Sequence, residues 1–377
     1  MKLRGWDRRV WIGVAGGMAA VAVVAVVWGA AVLHAVVPMS RPGWDELDAG
    51  TRAQAEGQFR LAAIQGLAAL GAGFALLYTA RNFRLNRRGQ VTERFTKALE
   101  RLGSDLPYVR SGGVFALEQI VQDAPEQVDH IVRILVAFLR DRTPAAGTPG
   151  APDHPDPDVQ TALTTLALLR PTGSLVDLSG LHLRGANLAG PALRDANLRG
   201  VDLAYARLTD AHLHGTDLTG AKLISAKLIS AKLAGAHLSG ADLTNADLAR
   251  ADLSRADLRG TNLCGTGLRD TGLSGADLCG ARLEAAFLLG AVLCMAKLRD
   301  ANLSIAALIR VDLRGADLTN AKLLCANLAH SDLTGAKLRG ADLRSVNLHN
   351  TDLTGADLTD TNLPDANLPN MRVPSWT

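Results

Sequence analysis

The chain has 377 residues, with 40 Lys and Arg against 37 Asp and Glu, a formal net charge of +3. Its length allows two or three domains, and a charge this close to zero argues against general affinity for nucleic acid. Aromatic residues make up only 4%, which excludes a core built on aromatic packing.

Lys2, Arg4, Arg8 and Arg9 open the chain, and residues 10–37 then carry no charge. Those 28 residues (37 − 10 + 1) exceed the roughly 20 that span a bilayer. They are also longer than a signal-peptide apolar region of about 7–15. A transmembrane helix is expected at about 10–37 and a second at about 60–80, making residues 1–89 a hairpin. Arg81, Arg84, Arg87 and Arg88 follow the second run, while the loop 39–60 mixes signs. The positive-inside rule then places both termini in the cytoplasm of a multi-pass cell-membrane protein, with the lipid bilayer as its first partner. Trp6, Trp11, Trp44, Tyr78 and Phe83 fall near the interfaces of such a hairpin. Gly13 and Gly17 permit close helix packing or are incidental.

Residues 90–142 read as a helical adaptor. Phe95, Leu99 and Leu102 give one apolar stripe, Val109, Val114, Leu117 and Ile120 a second, and Ile131, Ile134, Leu135, Phe138 and Leu139 a third. Pro107 and Pro125 punctuate the starts. Residues 143–158 are a linker by their Pro, Ala and Gly content. The apolar stretch 159–170 reads as a helix with Asp158 as N-cap, which either caps the region C-terminal to it or completes the adaptor. The C-terminal prolines Pro364, Pro369 and Pro374 interrupt pairing, and Trp376 is placed to cover the last layer.

From 178 to 368 every fifth residue is leucine, (368 − 178)/5 + 1 = 39 of them without a break. The residues 241–245 (Ala241, Asp242, Leu243, Thr244, Asn245) are a typical unit. A period of five fits neither a helix nor a strand. It fits a coil that turns a corner every unit. Leucine and the small residue two before it point inward, the residue between them points out, and the last two make the turn. Four units close a square of twenty residues, and stacked squares bury leucine on leucine. Lys222 should then lie between Asp202 and Asp242, Lys297 between Asp277 and Asp317, and Lys337 between Asp317 and Asp357, whereas Asp257 over Asp277 breaks the alternation.

The Ala-Asp/Asn-Leu-x-x pattern resembles the pentapeptide-repeat family. That resemblance implies an all-β solenoid over 171–377, a right-handed quadrilateral β-helix, of about ten coils and some 45–50 Å at ~4.8 Å per coil. The segment around Val109–Ile120 is more loosely similar to helical elements that precede such repeats in membrane-anchored proteins of actinobacterial type. One activity known in the family is mimicry of duplex DNA toward gyrase-type topoisomerases. It needs a strongly negative solenoid, but residues 171–377 hold 21 Asp and Glu and 21 Lys and Arg, 21 − 21 = 0.

No catalytic motif is found, and an enzyme is not expected. No cofactor is implied. The carboxylates are already demanded by the repeat and so carry no evidence for acid–base work. Cys264, Cys279, Cys294 and Cys325 lack zinc-type spacing and read as reduced structural thiols. His212 and His214 flank an inward leucine and both point out, but no third metal ligand is evident. The Lys222, Lys227 and Lys232 run lies on three successive sides. These observations point to a membrane-anchored scaffold whose solenoid binds an unidentified protein or a second copy, without direct nucleic-acid binding. A topoisomerase regulator is the alternative.

One local departure marks a candidate protein-binding face. The residue before leucine is polar almost everywhere, but it is Phe287, Val292 and Ala307 here, preceded one coil earlier by Gly267 and Gly272. Leu289 and Ile309 fall on the side of Phe287 and Ala307, and Met295 at the corner beyond Val292. Three readings fit: an interaction site, bulky residues packed over absent glycine side chains, or the adaptor folded back onto this side.

Overall fold

The computed structural model describes residues 48–169, 176–190 and 193–363. The expected helix at 10–37, Pro364, Pro369, Pro374 and Trp376 lie outside them. The chain divides into two compact units, 1–89 and 90–377. In the first, the described residues from Ala49 on belong to helix α1, Ala49–Leu102. The expected spanning run at 60–80 is one part of this helix and needs correction. Among the described residues no helix is long and apolar enough to cross a membrane. Gln65, Thr79 and three glycines dilute the run, and the helix continues unbroken into charged turns at Arg52, Glu56 and Arg81. Leu61, Ile64, Phe74, Leu76 and Leu77 stand exposed on it.

The second unit opens with the end of α1, then α2 (Pro107–Asp123), a short 3-10 turn (Pro125–Gln127), α3 (Val128–Arg142) and α4 (Pro157–Leu168). Proline opens α2 and α4, where its missing N–H would have had no partner. Asp129 in the first turn of α3 and Arg140 and Arg142 in its last complement the helix dipole. Leu117 and Ile120 of α2, Ile131 and Leu135 of α3, and Leu163 and Leu166 of α4 form one apolar core. α1 crosses α2 so closely that a methyl group on Gly113 would lie 2.9 Å from the carbonyl of Ala98. Asp158 is not the N-cap expected of it. Asp156 holds that position, and Asp158 is fully buried in an ion pair, its Oδ2 accepting from Arg110 Nε at 2.5 Å. Arg110 Nη1 also donates to the carbonyls of Ser104 and Asp105, both at 2.9 Å. The pair ties α4 to the start of α2.

The segment 143–158, loose by composition, lies along the first coil of the repeats. Ala146 N–H donates to Gly180 O at 2.7 Å and His182 N–H to Pro144 O at 2.9 Å, an antiparallel bridge between Ala145 and Leu181. His182 Nε2 sits 2.8 Å from Pro152 O, and Arg184 pairs with Asp153. On α4, the Gln160 amide takes both backbone groups of Asn187, donating to its carbonyl at 2.7 Å and accepting its N–H at 2.9 Å. Helix α4 therefore both completes the helical region and covers the first edge.

From 176 onward, parallel bridges join residues twenty apart, from Asp177–Asn197 to Asp342–Asn362. Among the described residues no continuous strand forms: each side contributes a single bridging residue, then a turn. The reading of each side as an extended segment is shortened accordingly, because a corner every five residues leaves three for the side. Every leucine of the register from Leu178 to Leu353 is at most 3% exposed, each worth roughly 1.5–3 kcal/mol of burial before entropy.

The unit 241–245 shows what the repeat is for. Its five N–H groups find five acceptors: Ala241 to Leu238 O (2.9 Å), Asp242 to Ala221 O (2.9 Å), Leu243 to Asn262 O (2.8 Å), Asn245 to Cys264 O (3.0 Å), and Thr244 to the Asp242 carboxylate at 3.1 Å. The last of these explains the Asp or Asn before leucine. Its side chain reaches two residues on and satisfies the one turn N–H that no neighbouring coil can reach. The last turn residue always takes a left-handed φ, as at Asn245 (56°), Arg250 (59°) and Gly240 (65°).

Candidate interaction face

The register gives the solenoid four sides, each a column of outward residues spaced by twenty. One column runs through Asp217, His237, Asp257, Asp277, Lys297, Asp317, Lys337 and Asp357. The expected lysine–aspartate stacking has the right register, including Lys222 between Asp202 and Asp242. The pairing is carried mostly by other residues. Lys297 reaches Asp277 at 3.4 Å, but arginines in the turn make the tighter pairs, Arg299 with Asp317 and Arg259 with Asp257 at 2.6 Å. The Arg259 side chain, hydrogen-bonded to it, holds the Asp257 carboxyl below its ordinary range despite partial burial. Arg314 and Arg344 do the same for Asp312 and Asp342.

A second column runs Asp247, Gly267, Phe287, Ala307, Asn327. Between Asp247 and Asn327 it has neither a charge nor a side-chain acceptor. Ala249 and Ala329 give their N–H to Asp247 and Asn327. Among the described residues, the N–H groups of Arg269, Leu289 and Ile309 find no such oxygen, since Gly267, Phe287 and Ala307 have none to offer. The N–H groups of Ile224, Ile229 and Ala234, two residues after Lys222, Lys227 and Lys232, likewise find no such oxygen, so what sets this column apart is the apolar side chains beside its donors.

Phe287 is 58% exposed on this side, with Leu289, Ala307 and Ile309 half-buried around it. It does not fill the space of Gly267: the nearest atoms to a methyl group there belong to Asp247 and Ala246 of the preceding coil. The six candidate residues are not one patch. Val292 bridges Gly272 in the next column, around the corner from Phe287. Met295, 69% exposed, stands one corner further, its Sδ 2.6 Å from where a methyl group on Gly315 would be. Two residues belong with Phe287 that the residue before leucine does not reveal. Ile305 and Leu324 are both exposed at the other edge of its side. Ile305 is 61% exposed and holds φ 55°, a conformation that costs a β-branched residue about 1–2 kcal/mol. A β-branched residue in a column that demands positive φ was the signal available in the sequence.

The hydroxyls of Thr216, Thr261, Thr266 and Thr271, buried at the inward small position, donate to leucine carbonyls of the preceding coil at 2.8–3.0 Å. Burial, then a hydrogen bond to Glu284, pushes the Cys264 thiol up, and burial with Asp277 does so for Cys279. Among the described residues no three His, Cys, Asp or Glu side chains converge as a metal site, and the His212–His214 pair gains no third ligand.

The family model described as pentapeptide repeats matches this chain in overlapping stretches from 174–215 to 331–370. No curated protein matches. Similar solved structures include HetL from the cyanobacterium Nostoc sp. strain PCC 7120, a pentapeptide repeat protein involved in heterocyst differentiation regulation. It is 34% identical over 51% of this chain and 90% of its own, at a TM-score of 0.24. A thylakoid-lumen pentapeptide repeat protein of Arabidopsis thaliana is 34% identical over 24% of this chain and 64% of its own, TM-score 0.24. QnrB1, a plasmid-mediated fluoroquinolone resistance protein, is 23% identical over 46% and 90%, TM-score 0.26. TM-scores this low carry no structural conclusion.

Proposed function

Because the chain belongs to the pentapeptide-repeat family, whose coil is right-handed, we propose that it is a protein-binding scaffold rather than an enzyme, and that its partner docks on the side of Phe287. The observation that carries this reading is the interruption between Gly267 and Ala307. There the solenoid loses its polar column, exposes Phe287 and Ile305, and leaves the N–H groups of Arg269, Leu289 and Ile309 without protein acceptors. The fold gains nothing from any of the three, and Ile305 costs it backbone strain. A partner suited to the site brings an aliphatic or aromatic anchor for the Phe287–Ile305 surface and oxygen acceptors for the donors beside it.

The net-neutral repeats do not favour the alternative of a DNA-like surface for a topoisomerase. In the acidic column of Asp312, Asp332 and Asp352, Arg314 contacts both Asp312 and Asp332.

A photo-crosslinking residue at position 287, compared with one at position 337 on the paired side, tests the reading in cells. Position 287 is expected to yield a discrete adduct that a Leu289→Lys, Ile309→Lys variant loses while its melting curve stays unchanged. Equal labelling from both positions, or an adduct indifferent to the double substitution, would refute it.

A further inference from the structure

The corner that carries Leu289 and Ile309 continues toward the C-terminus with His330, His349 and Asn350. The two histidines are joined at the backbone, His330 N–H donating to His349 O at 2.8 Å. Their rings meet edge to face with centroids 5.5 Å apart. The amide Nδ2 of Asn350 lies 3.2 Å from His349 Nε2 and 3.5 Å from His330 Nδ1. His330 Nδ1 and His349 Nε2 thus face one shared amide.

We propose that His330 Nδ1 and His349 Nε2 form a surface site for a borderline divalent cation of the Zn2+ type. Asn350 supplies a third donor when its amide turns Oδ1 toward the metal. Neutral imidazole with an amide oxygen suits Zn2+, Ni2+ or Cu2+ and does not suit Mg2+. The coil fixes the spacing: His330 sits in the turn column at φ 63°, and His349 is half-buried. Asp332, two residues after His330, and Asp352, three after His349, lie on the adjoining side of the same two coils and add negative potential, Asp332 less so because Arg314 contacts it. Arg310, one coil earlier in the column of His330, opposes it, but its side chain is exposed and free to turn into solvent. The remaining coordination positions open outward at the corner that also carries Leu289 and Ile309. Among the described residues His212 and His214 form another close histidine pair, with ring centroids 6.3 Å apart.

Calorimetric titration of the full chain with Zn2+, with the histidine ring resonances followed by NMR, tests the site. Saturable binding is expected to shift the resonances of His330 and His349 together. His330→Gly and His349→Ala are each expected to weaken it about tenfold or more, whereas His212→Ala leaves it unchanged. Glycine at 330 relaxes the backbone, and a metal-free melt of each variant separates loss of ligand from loss of fold. Excess Mg2+ should not compete. No saturable Zn2+ binding, binding retained when His330→Gly and His349→Ala are combined, or displacement by Mg2+ would each overturn the proposal.

Discussion

The sides of the solenoid bearing Asp257 and Phe287 share one backbone, one leucine core and one register, and differ in the residue before each leucine and in turn residues such as Leu289, Ile305 and Ile309. On the first, the carboxylates of Asp257, Asp277 and Asp317 cap turn N–H groups and pair with Arg259, Lys297 and Arg299. On the second, both functions lapse for three coils without disturbing the coil: Leu268, Leu288 and Leu308 are as buried as Leu258 and Leu278. The inward residues therefore set the fold, and the outward column is free to be something else.

The comparison breaks most sharply at the core. Leu273→Asp buries a charge with no partner, and several kcal/mol of destabilisation are expected on any side, read as a collapse of the thermal melt. Outside the solenoid, Arg110→Ala leaves Asp158 buried and alone, and about 3–5 kcal/mol is expected by chemical denaturation.

Smaller effects sharpen the contrast between the sides. Asp257→Ala removes both the cap of Arg259 N–H and an arginine partner and should cost about 1 kcal/mol. Ala307→Asp does the reverse, offering Ile309 N–H the acceptor it lacks. It should leave stability unchanged or raise it by up to ~1 kcal/mol while abolishing the crosslink at position 287. Ile305→Gly should stabilise by about 1 kcal/mol, because glycine accepts a positive φ without strain. A loss of stability in either of these two would mean that the apolar side is structural.

The smallest effect is that of pH. Asp257, Asp312 and Asp342 are held below the ordinary carboxylate range, first by hydrogen bonds from Arg259, Arg314 and Arg344. A depressed folded-state pKa contributes stability above the unfolded value of about 4, and that stability is lost as pH falls through the folded value. Each partly exposed pair should contribute only roughly a few tenths of a kcal/mol. Melting temperature is expected to be flat above about pH 5 and to decline gently below pH 4.

Much of this molecule can be read from its letters. The leucine period and the twenty-residue coil place Lys222 against Asp202 and Asp242, and the structure bridges those pairs. The remainder depends on contacts that composition does not encode. Residues 143–158 look loose because proline and glycine have no pattern, yet an open coil edge offers backbone groups that Pro144 and Ala146 can pair. Phe287 stands out in the column before leucine, whereas Ile305 and Leu324 belong to the turn columns, where the apolar residue matters only once φ and exposure are known. Asp or Asn before leucine looks like solvent-facing polarity, and its capping of the next turn becomes visible only with hydrogen-bond distances.

The grip of Gln160 and residues 144–146 on the first coil bears on how the molecule is made. A coil with no neighbour must close twenty residues for few contacts, and that is the costly step in any stacked array. Here a helical platform, complete by Leu168, presents the first coil with a finished layer to lie on. Order is then expected to spread one way, from the platform toward the C-terminus. Shortened chains ending at 263, 303 or 343 should each fold with a stability that grows with coil number, whereas a chain starting at 193 should lose the layer it grows from.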